Sequence, residues 1–320
     1  MDYTDKRIRV IYGDVTLGAA GEDFHYIFSY QTGGPESLVI GGREWLYRTP
    51  KPTFWRAATD NDKGNQFPLK SGMWMGADVF IKCTGVKIRA DGKEVTTFLA
   101  PSNNCHSNHE YVQSLEIAFT YETITVPAAA VEVTYEVNGS GRILVHAWYR
   151  GQQGLPELPG FGIRFIMPDK ACGYEYCGLS GETYPDRKAG AVRGTYCVEG
   201  LPVTPYLVPQ ECGMHVETEW VTVYRKAAVD AAGEQPETAE LTISMAGEPF
   251  GFSCLPYTAL ELENAAHQED LPPARRTVLC IMGAVRGVGG IDSWGADVEE
   301  AYHISGEKDI EMSFVINGVK

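Results

Sequence analysis

The stretch that decides the fold is VEVTYEV at residues 131–137, followed by NGSG at 138–141 and ILVHAWY at 143–149. In the first run, apolar or aromatic residues alternate with polar ones, which is the period of a strand with one buried face. Residues 143–149 are also typical of a strand, and the glycines between the two strand-like runs can adopt positive φ. The sequence therefore predicts a β-hairpin over residues 131–149.

Further strand-like runs occur along the whole chain, separated by Gly, Pro and Asn as turn formers. They cover residues 7–12, 115–121, 216–224, 239–245, 277–281 and 310–316. We therefore expect an all-β protein, folded as a large antiparallel β-sandwich of two packed sheets, because an open sheet seldom exceeds ~10 strands. No linker divides the chain, so residues 1–320 are expected to form a single domain. One short helix is predicted, from the capping-box pair Thr258 and Glu261 to Asn264.

The charge balance excludes several classes of partner. The 320 residues include 27 Lys and Arg against 42 Asp and Glu, a net charge of -15. A field of this sign repels phosphate backbones and anionic lipid surfaces, so neither a nucleic acid nor a membrane is an expected partner. The N-terminus MDYTDKRIRVIYGD is too charged for a signal peptide. We interpret Met1 to Lys320 as a complete cytoplasmic chain.

Familiar catalytic and metal-binding motifs do not occur in the sequence. It contains no GxSxG, no HExxH and no phosphate-binding P-loop. Its eight cysteines form no CxxC pair, which favours reduced thiols. The nearest set of metal-ligand residue types is Cys105, His106, His109 and Glu110, but it lies in the polar stretch PSNNCHSNHE. We interpret that stretch as a solvated loop, so no metal site is predicted in this chain.

Aromatic and polar residues are concentrated in three loops, FWRAATDNDKG (54–64), GETYPDR (181–187) and GGIDSWG (289–295). This mixture suits sugar recognition, because an aromatic ring covers the apolar face of a pyranose while polar groups satisfy its hydroxyls. In the first two loops, the candidate site or interface residues are Arg56, Asp60, Asn61, Asp62, Glu182, Asp186 and Arg187. The favoured interpretation of these residues is a hydrogen-bonded loop in which acidic groups cap turns and pair with arginine, rather than direct contact with a sugar or a partner.

Five blocks of sequence carry a family resemblance. FWRAATDNDKGN, GLSGETYPDRKAG, TPYLVPQECG, LPYTALELENAAHQEDLPP and GVGGIDSWG resemble, in that order, landmarks of the small-chain domain of β-galactosidases in glycoside hydrolase family 2. The resemblance extends from about Gly33 to Ala301. It implies a galactose-mutarotase-like β-sandwich, or supersandwich, that acts as the small subunit of a β-galactosidase on terminal β-galactosides such as lactose.

The resemblance also implies a division of labour with a large subunit as partner. The two catalytic glutamates of the family belong to the TIM-barrel domain of that subunit, so no catalytic residue is expected in this chain, and the chain is expected to be inactive alone. No cofactor is expected here either, and any Mg²⁺ or Na⁺ would belong to the large subunit.

A substrate-binding role for Trp294, Asp292 and Ser293 follows from the same resemblance. In the family, the tryptophan of a GGDDSW loop forms an aromatic platform in the active-site pocket, and Trp294 matches it. Ile291 stands where the family usually has its first Asp, so no acidic role is carried over to that position. Without the resemblance, Trp294 would be expected in the core or at an interface.

Two alternatives on the same fold remain open. The first is a stand-alone aldose 1-epimerase, or mutarotase, with His267 as the acid and Glu269 as the base. The second is a carbohydrate-binding module without enzymatic activity. The landmark loops argue against the epimerase, because they resemble the β-galactosidase small chain and not the epimerase pattern.

Overall fold

A computed structural model of the protein describes residues 7–100, 110–226, 238–292 and 295–318. Antiparallel strands dominate these residues. In chain order they are β1 (Ile8–Tyr12), β2 (Thr16–Ala20), β3 (Phe24–Ser29), β4 (Pro35–Ile40), β5 (Arg43–Glu44), β6 (Arg48–Thr53), β7 (Lys82–Ala90), β8 (Lys93–Glu94), β9 (Glu110–Val112), β10 (Ser114–Glu122), β11 (Ala130–Asn138), β12 (Ile143–Arg150), β13 (Gly160–Met167), β14 (Gly173–Leu179), β15 (Arg193–Glu199), β16 (Met214–Thr218), β17 (Trp220–Lys226), β18 (Thr238–Met245), β19 (Phe250–Leu255), β20 (Thr277–Val285) and β21 (Ile310–Ile316).

Helices are few and short. The α-helices are α1 (Asp60–Gly64), α2 (Phe67–Ser71) and α3 (Ala259–Asn264), and 3₁₀ turns follow at Gly72–Trp74, Gln268–Asp270 and Glu300–Tyr302. The prediction of an all-β protein with antiparallel sheets is thus confirmed. Among the described residues, we find no helix with the length and apolar character needed to cross a membrane.

The strands form three sheets. The largest has ten strands in the order β15-β14-β17-β18-β21-β12-β11-β10-β7-β8. A six-stranded sheet has the order β5-β4-β3-β2-β1-β9, and a five-stranded sheet has the order β16-β19-β20-β13-β6. The sequence-based expectation of two sheets is wrong in this respect.

The two smaller sheets cover different parts of the ten-stranded sheet. Phe28 of the six-stranded sheet packs on Tyr135 of β11, with ring centroids 5.7 Å apart. Phe165 of the five-stranded sheet packs on Phe314 of β21 at 6.0 Å. Because buried residues from all three sheets join one continuous hydrophobic core, the arrangement is a sandwich with a divided second layer.

The predicted hairpin is confirmed as β11 and β12, which pair in register from Ala130 opposite Arg150 to Val137 opposite Ile143. Its loop requires glycine at position 141, where φ is +80° and a Cβ would lie 2.6 Å from the ring of Phe24. The hydroxyl of Tyr26 donates a hydrogen bond of 2.5 Å to the Gly141 carbonyl. The hairpin is therefore fastened to the six-stranded sheet.

The strand predicted over residues 216–224 is divided into two strands, because the chain changes sheets within it. β16 belongs to the five-stranded sheet and β17 to the ten-stranded sheet. Glu217 has φ of +56°, an uncommon conformation for a residue with a side chain. This bend lets one nearly continuous β-like run contribute to both layers.

The helix predicted from the capping box is confirmed. Thr258 accepts a hydrogen bond from the Glu261 backbone, and the Glu261 carboxylate accepts one from the Thr258 backbone. By contrast, residues 54–64 were predicted to be a loop, but they contain α1. α1 has its own capping box, Thr59 with Asp62.

Candidate functional site

The first candidate loop is organised by a buried ion pair. Arg56 and Asp62 are 6% and 1% exposed, and the guanidinium donates to both carboxylate oxygens at 2.5 and 3.1 Å. Asp62 also caps α1 by accepting hydrogen bonds of 2.8 Å from the Thr59 backbone and hydroxyl. The interpretation that acidic groups of this loop cap a turn and pair with arginine is therefore confirmed for Arg56 and Asp62.

A second buried guanidinium, that of Arg286, joins this pair to the end of β20. Arg286 is 0% exposed and donates to Asp62 at 3.2 Å and to Glu157 at 2.5 Å, and it also contacts Asp297. Its guanidinium lies 3.9 Å from the centre of the Phe67 ring. A buried charge is costly without partners, so these three acids hold the Arg286 side chain in place. They thereby also fix where the chain leaves β20.

The glycine-rich segment that follows, residues 287–292, is held by the second candidate loop. The carboxylate of Asp186 is 6% exposed and accepts hydrogen bonds from the backbone N–H groups of Val288 at 3.0 Å and Gly289 at 2.8 Å. The Arg187 guanidinium donates to the Gly289 carbonyl. Residues 186 and 187 thus bind the glycine-rich segment through its backbone.

α1 holds the same segment from the other side. The Asn61 amide donates to the Val288 carbonyl at 3.2 Å. Further along, Gly295 has φ of +88°, and a Cβ there would lie 2.6 Å from the backbone of Gly64. The three loops singled out in the sequence therefore meet at one place, with the 287–297 segment between the other two.

Two of the predicted residues, Asp60 and Glu182, are exposed beside a cleft. Asp60 is exposed, its carboxylate accepts a hydrogen bond of 3.1 Å from Gln210, and its backbone N–H donates to the same amide at 3.0 Å. Glu182 is also exposed and accepts one of 3.0 Å from the Thr204 hydroxyl. Gln210 and Thr204 line a cleft of about 310 Å³ together with Tyr206 and Tyr257. These two acids contact the cleft wall and not the buried ion cluster.

Several functional candidates near the cluster were not predicted from the sequence. Arg286, Glu157 and Asp297 were not assigned, although Arg286 directly follows the apolar run of β20, where a lone basic residue is unusual. Glu211 lies in the landmark block TPYLVPQECG and is buried. Burial raises the pKa of Glu211 to about 7, and Arg56 opposes the shift.

Three predicted substrate-binding residues belong to the last loop. Ser293 and Trp294 lie outside the described residues. Asp292 is exposed, and its carboxylate accepts a hydrogen bond of 3.0 Å from the backbone N–H of Ala296. The role of these three residues in binding substrate stays a prediction.

The acid and base candidates of the epimerase alternative are exposed side chains. His267 is 69% exposed and its ring lies 3.6 Å from Asp270, while Glu269 is exposed on the same 3₁₀ turn. Cys105, His106 and His109 lie outside the described residues. Within the described ranges, no three His, Cys, Asp or Glu side chains are grouped as metal ligands.

A family model described as β-galactosidase small chain matches residues 20–316. The chain belongs to the β-galactosidase small-chain family. A relative named β-galactosidase small subunit, from Latilactobacillus sakei, is 59% identical over 317 residues, covering 99% of this chain and 100% of the relative. A β-galactosidase from Halalkalibacterium halodurans is 34% identical, covering 98% of this chain but 28% of its own length.

Small-chain sequence thus occurs both as a separate chain and within longer β-galactosidases, of which this chain spans about a quarter. A solved structure of a galactose mutarotase-like protein from Lactobacillus casei is similar with a TM-score of 0.40 and 10% identity, covering 94% of this chain and 99% of that one. Three of the five blocks that carry the small-chain resemblance contain the loops that meet around the Arg56, Asp62 and Arg286 cluster.

Proposed function

We propose that this chain is the small subunit of a β-galactosidase of glycoside hydrolase family 2, and that it completes the galactoside site of a large subunit. The large subunit would supply the TIM barrel, the two catalytic glutamates and any Mg²⁺ or Na⁺. This chain would supply one wall of the site through residues 292–294. The substrates would be terminal β-galactosides such as lactose, hydrolysed with retention of configuration.

The observation that carries this proposal is the convergence of the three landmark loops. The 287–297 segment leaves the buried Arg286, is held by Asp186 and Asn61, and returns to Asp297, which contacts Arg286 again. Both ends of the segment are therefore attached to the same guanidinium. Anchoring both ends of a segment lowers the entropic cost of ordering the residues between them in a complex, which supports a role for residues 292–294 in the site.

An aromatic platform contributes to hydrolysis without a covalent role. It covers the apolar face of the sugar ring, excludes water from the site and restricts the sugar to orientations in which the glutamates can act. Hydrolysis by a retaining mechanism needs two carboxylates about 5–5.5 Å apart on either side of the scissile bond. In this proposal both belong to the partner, and the acids of this chain are structural.

The proposal is tested by hydrolysis of a chromogenic β-galactoside by this chain, by its large subunit and by their mixture. We expect activity to appear only in the mixture. Trp294→Ala should reduce it by at least about tenfold, which corresponds to ~1.4 kcal/mol of transition-state stabilisation. Trp294→Phe, which retains an aromatic face, should lose less.

Trp148→Ala serves as the matched control. Trp148 is a half-buried residue of β12 whose indole N–H donates to Asp309 at 3.0 Å. Its side chain lies on the opposite face of the strand from that of Tyr149, whose ring packs on Phe54 of the first landmark loop. The Trp148→Ala variant should leave the activity of the mixture unchanged. Equal activity of the large subunit with and without this chain would overturn the proposal, and epimerase activity abolished by His267→Ala would favour the alternative.

A further inference from the structure

An apolar surface begins immediately after the site loops. Seven large hydrophobic side chains are exposed on two neighbouring segments, which we call the 69–80 patch: Leu69, Met73, Met75, Val79, Phe80, Ile124 and Val126. The segments touch, because the Val126 backbone N–H lies 3.4 Å from the sulfur of Met73. Leu69 is 82% exposed and Val126 is 78% exposed.

Buried side chains between the residues of the patch anchor this part of the chain to the core. Trp74 is 0% exposed, its ring lies 5.4 Å from that of Phe54, and its indole N–H donates to the Pro156 carbonyl at 3.2 Å. Asp78 is buried and forms an ion pair with Arg164. Trp74 and Asp78 thus lie next to exposed residues of the patch in the sequence. The exposure of the patch is therefore a feature of the packed fold and not a result of local unfolding.

The patch is large for a surface that remains in water. From the exposed fractions and ordinary side-chain areas, it presents roughly 700 Å² of apolar side chain, whereas the largest patch on a typical monomer covers roughly 300–600 Å². Between residues 67 and 81, Lys70 and Asp78 are the charged residues, and Asp78 is buried. A stable interface buries about 800 Å² or more on each partner, so the patch could form most of one.

The patch is also continuous with the site. α2, which carries Leu69, follows α1 after two residues. The Asn65 amide donates to Asp297 at 3.3 Å, and the Lys70 ammonium lies 3.9 Å from the same carboxylate. A partner that covers the 287–297 segment would therefore also reach the patch.

We propose that the 69–80 patch is a principal docking surface for the large subunit. This inference rests on the proposed function. Similar sequence occurs in longer β-galactosidases as about a quarter of their length, and there it is covalently linked to the rest of the protein. In a separate small subunit, such as the relative from Latilactobacillus sakei, attachment to a large subunit depends on the surface buried between them. The apolar character of the patch matches the interior of a permanent interface.

Two pairs of variants test the assignment, and the pairs are matched in residue type. Leu69→Asp and Val79→Asp place a charge in the patch. Leu99→Asp and Val192→Asp place one at exposed apolar residues elsewhere, where exposure is 52% and 64%. We expect each patch variant to weaken binding of the large subunit by at least about tenfold, and each control to change it by less than about threefold.

The measurements are the dissociation constant by surface plasmon resonance and β-galactosidase activity as a function of added small chain. Hydrogen exchange of residues 67–81 should slow in the complex. Thermal unfolding of each variant alone should match that of the wild type, which excludes misfolding. If Leu69→Asp fails to fold, the exchange result on the wild-type complex still decides the assignment.

Each failure has its own signature. If the wild-type chain binds and activates the large subunit but the patch variants do so equally, the docking surface lies elsewhere and the proposed function stands. If the wild-type chain neither binds nor activates the large subunit, the proposed function itself is wrong. If the patch variants disrupt a homodimer of this chain and leave the complex intact, the occupant is a second copy and the assignment is overturned.

Discussion

Replacing Arg286 with Met should lower the free energy of unfolding by about 3–5 kcal/mol, the usual cost of removing one partner from a buried ion pair. Arg286 is 0% exposed and is shared by Asp62, Glu157 and Asp297. Met retains the length needed to pack over Phe67 but removes every donor. Asp62 would keep Arg56, while the other two acids would lose their contact with a buried cation.

Urea unfolding followed by tryptophan fluorescence measures this loss. The matched control is Arg89→Met, because Arg89 pairs with Glu116 at 3.0 Å on the surface, where the two side chains are 54% and 34% exposed. Solvent screens such a pair, so its removal should cost at most about 1 kcal/mol. Arg286→Lys, which keeps the charge but cannot reach three carboxylates, should fall between the two.

The same variant should impair the complex. Both ends of the 287–297 segment lose their common anchor, so under conditions where Arg286→Met is still folded, the activity of the mixture should fall more than tenfold, while Arg89→Met retains full activity. Our account of the cluster would be refuted if Arg286→Met cost no more stability than Arg89→Met. It would also fail if the destabilised variant supported normal hydrolysis.

Three further predictions concern the same region. Asp186→Ala leaves two backbone N–H groups of the glycine-rich segment without an acceptor, so it should cost about 2 kcal/mol in urea unfolding and lower the activity of the mixture. Gly295→Ala would force a Cβ to 2.6 Å from Gly64 and should reduce activity, whereas Gly92→Ala, with φ of +75° but nothing within 4 Å, should preserve it. For Glu211, burial raises the pKa from 4.5 in the unfolded chain to about 7 in the folded one, so its contribution to stability is fully present below pH 4.5 and is lost as the pH rises to about 7. Unfolding free energies measured across that range should decline more steeply for the wild type than for Glu211→Gln, and parallel curves would contradict the shift.

Local sequence patterns predicted much of the fold. The alternation in residues 131–137 and the glycines of the following loop predicted the hairpin correctly, because both signals act between neighbouring residues. The capping box at Thr258 gave the start of α3 for the same reason. The concentration of aromatic and polar residues also identified the three loops that meet around the glycine-rich segment.

Other features of the fold could not be predicted from local sequence patterns. The run at 216–224 is strand-like throughout, yet the positive φ of Glu217 divides it between two sheets. Its alternation predicts strands, whereas the choice of sheet depends on neighbours remote in sequence. The short helix α1 was not predicted because an Asp- and Asn-rich pentapeptide has low helix propensity. Its capping box and its contacts with the 287–297 segment compensate for that low propensity.

The sequence by itself determined the class of fold, the positions of several strands, the acidic charge and the family to which the chain belongs. The tertiary structure decided which charged groups are buried together. Asp62 and Arg286 are 224 residues apart, and either would be expected in water from its own surroundings in the sequence. They pair because packing of the sheets removes both from water at one point, and a charge that loses its hydration must find an opposite charge nearby.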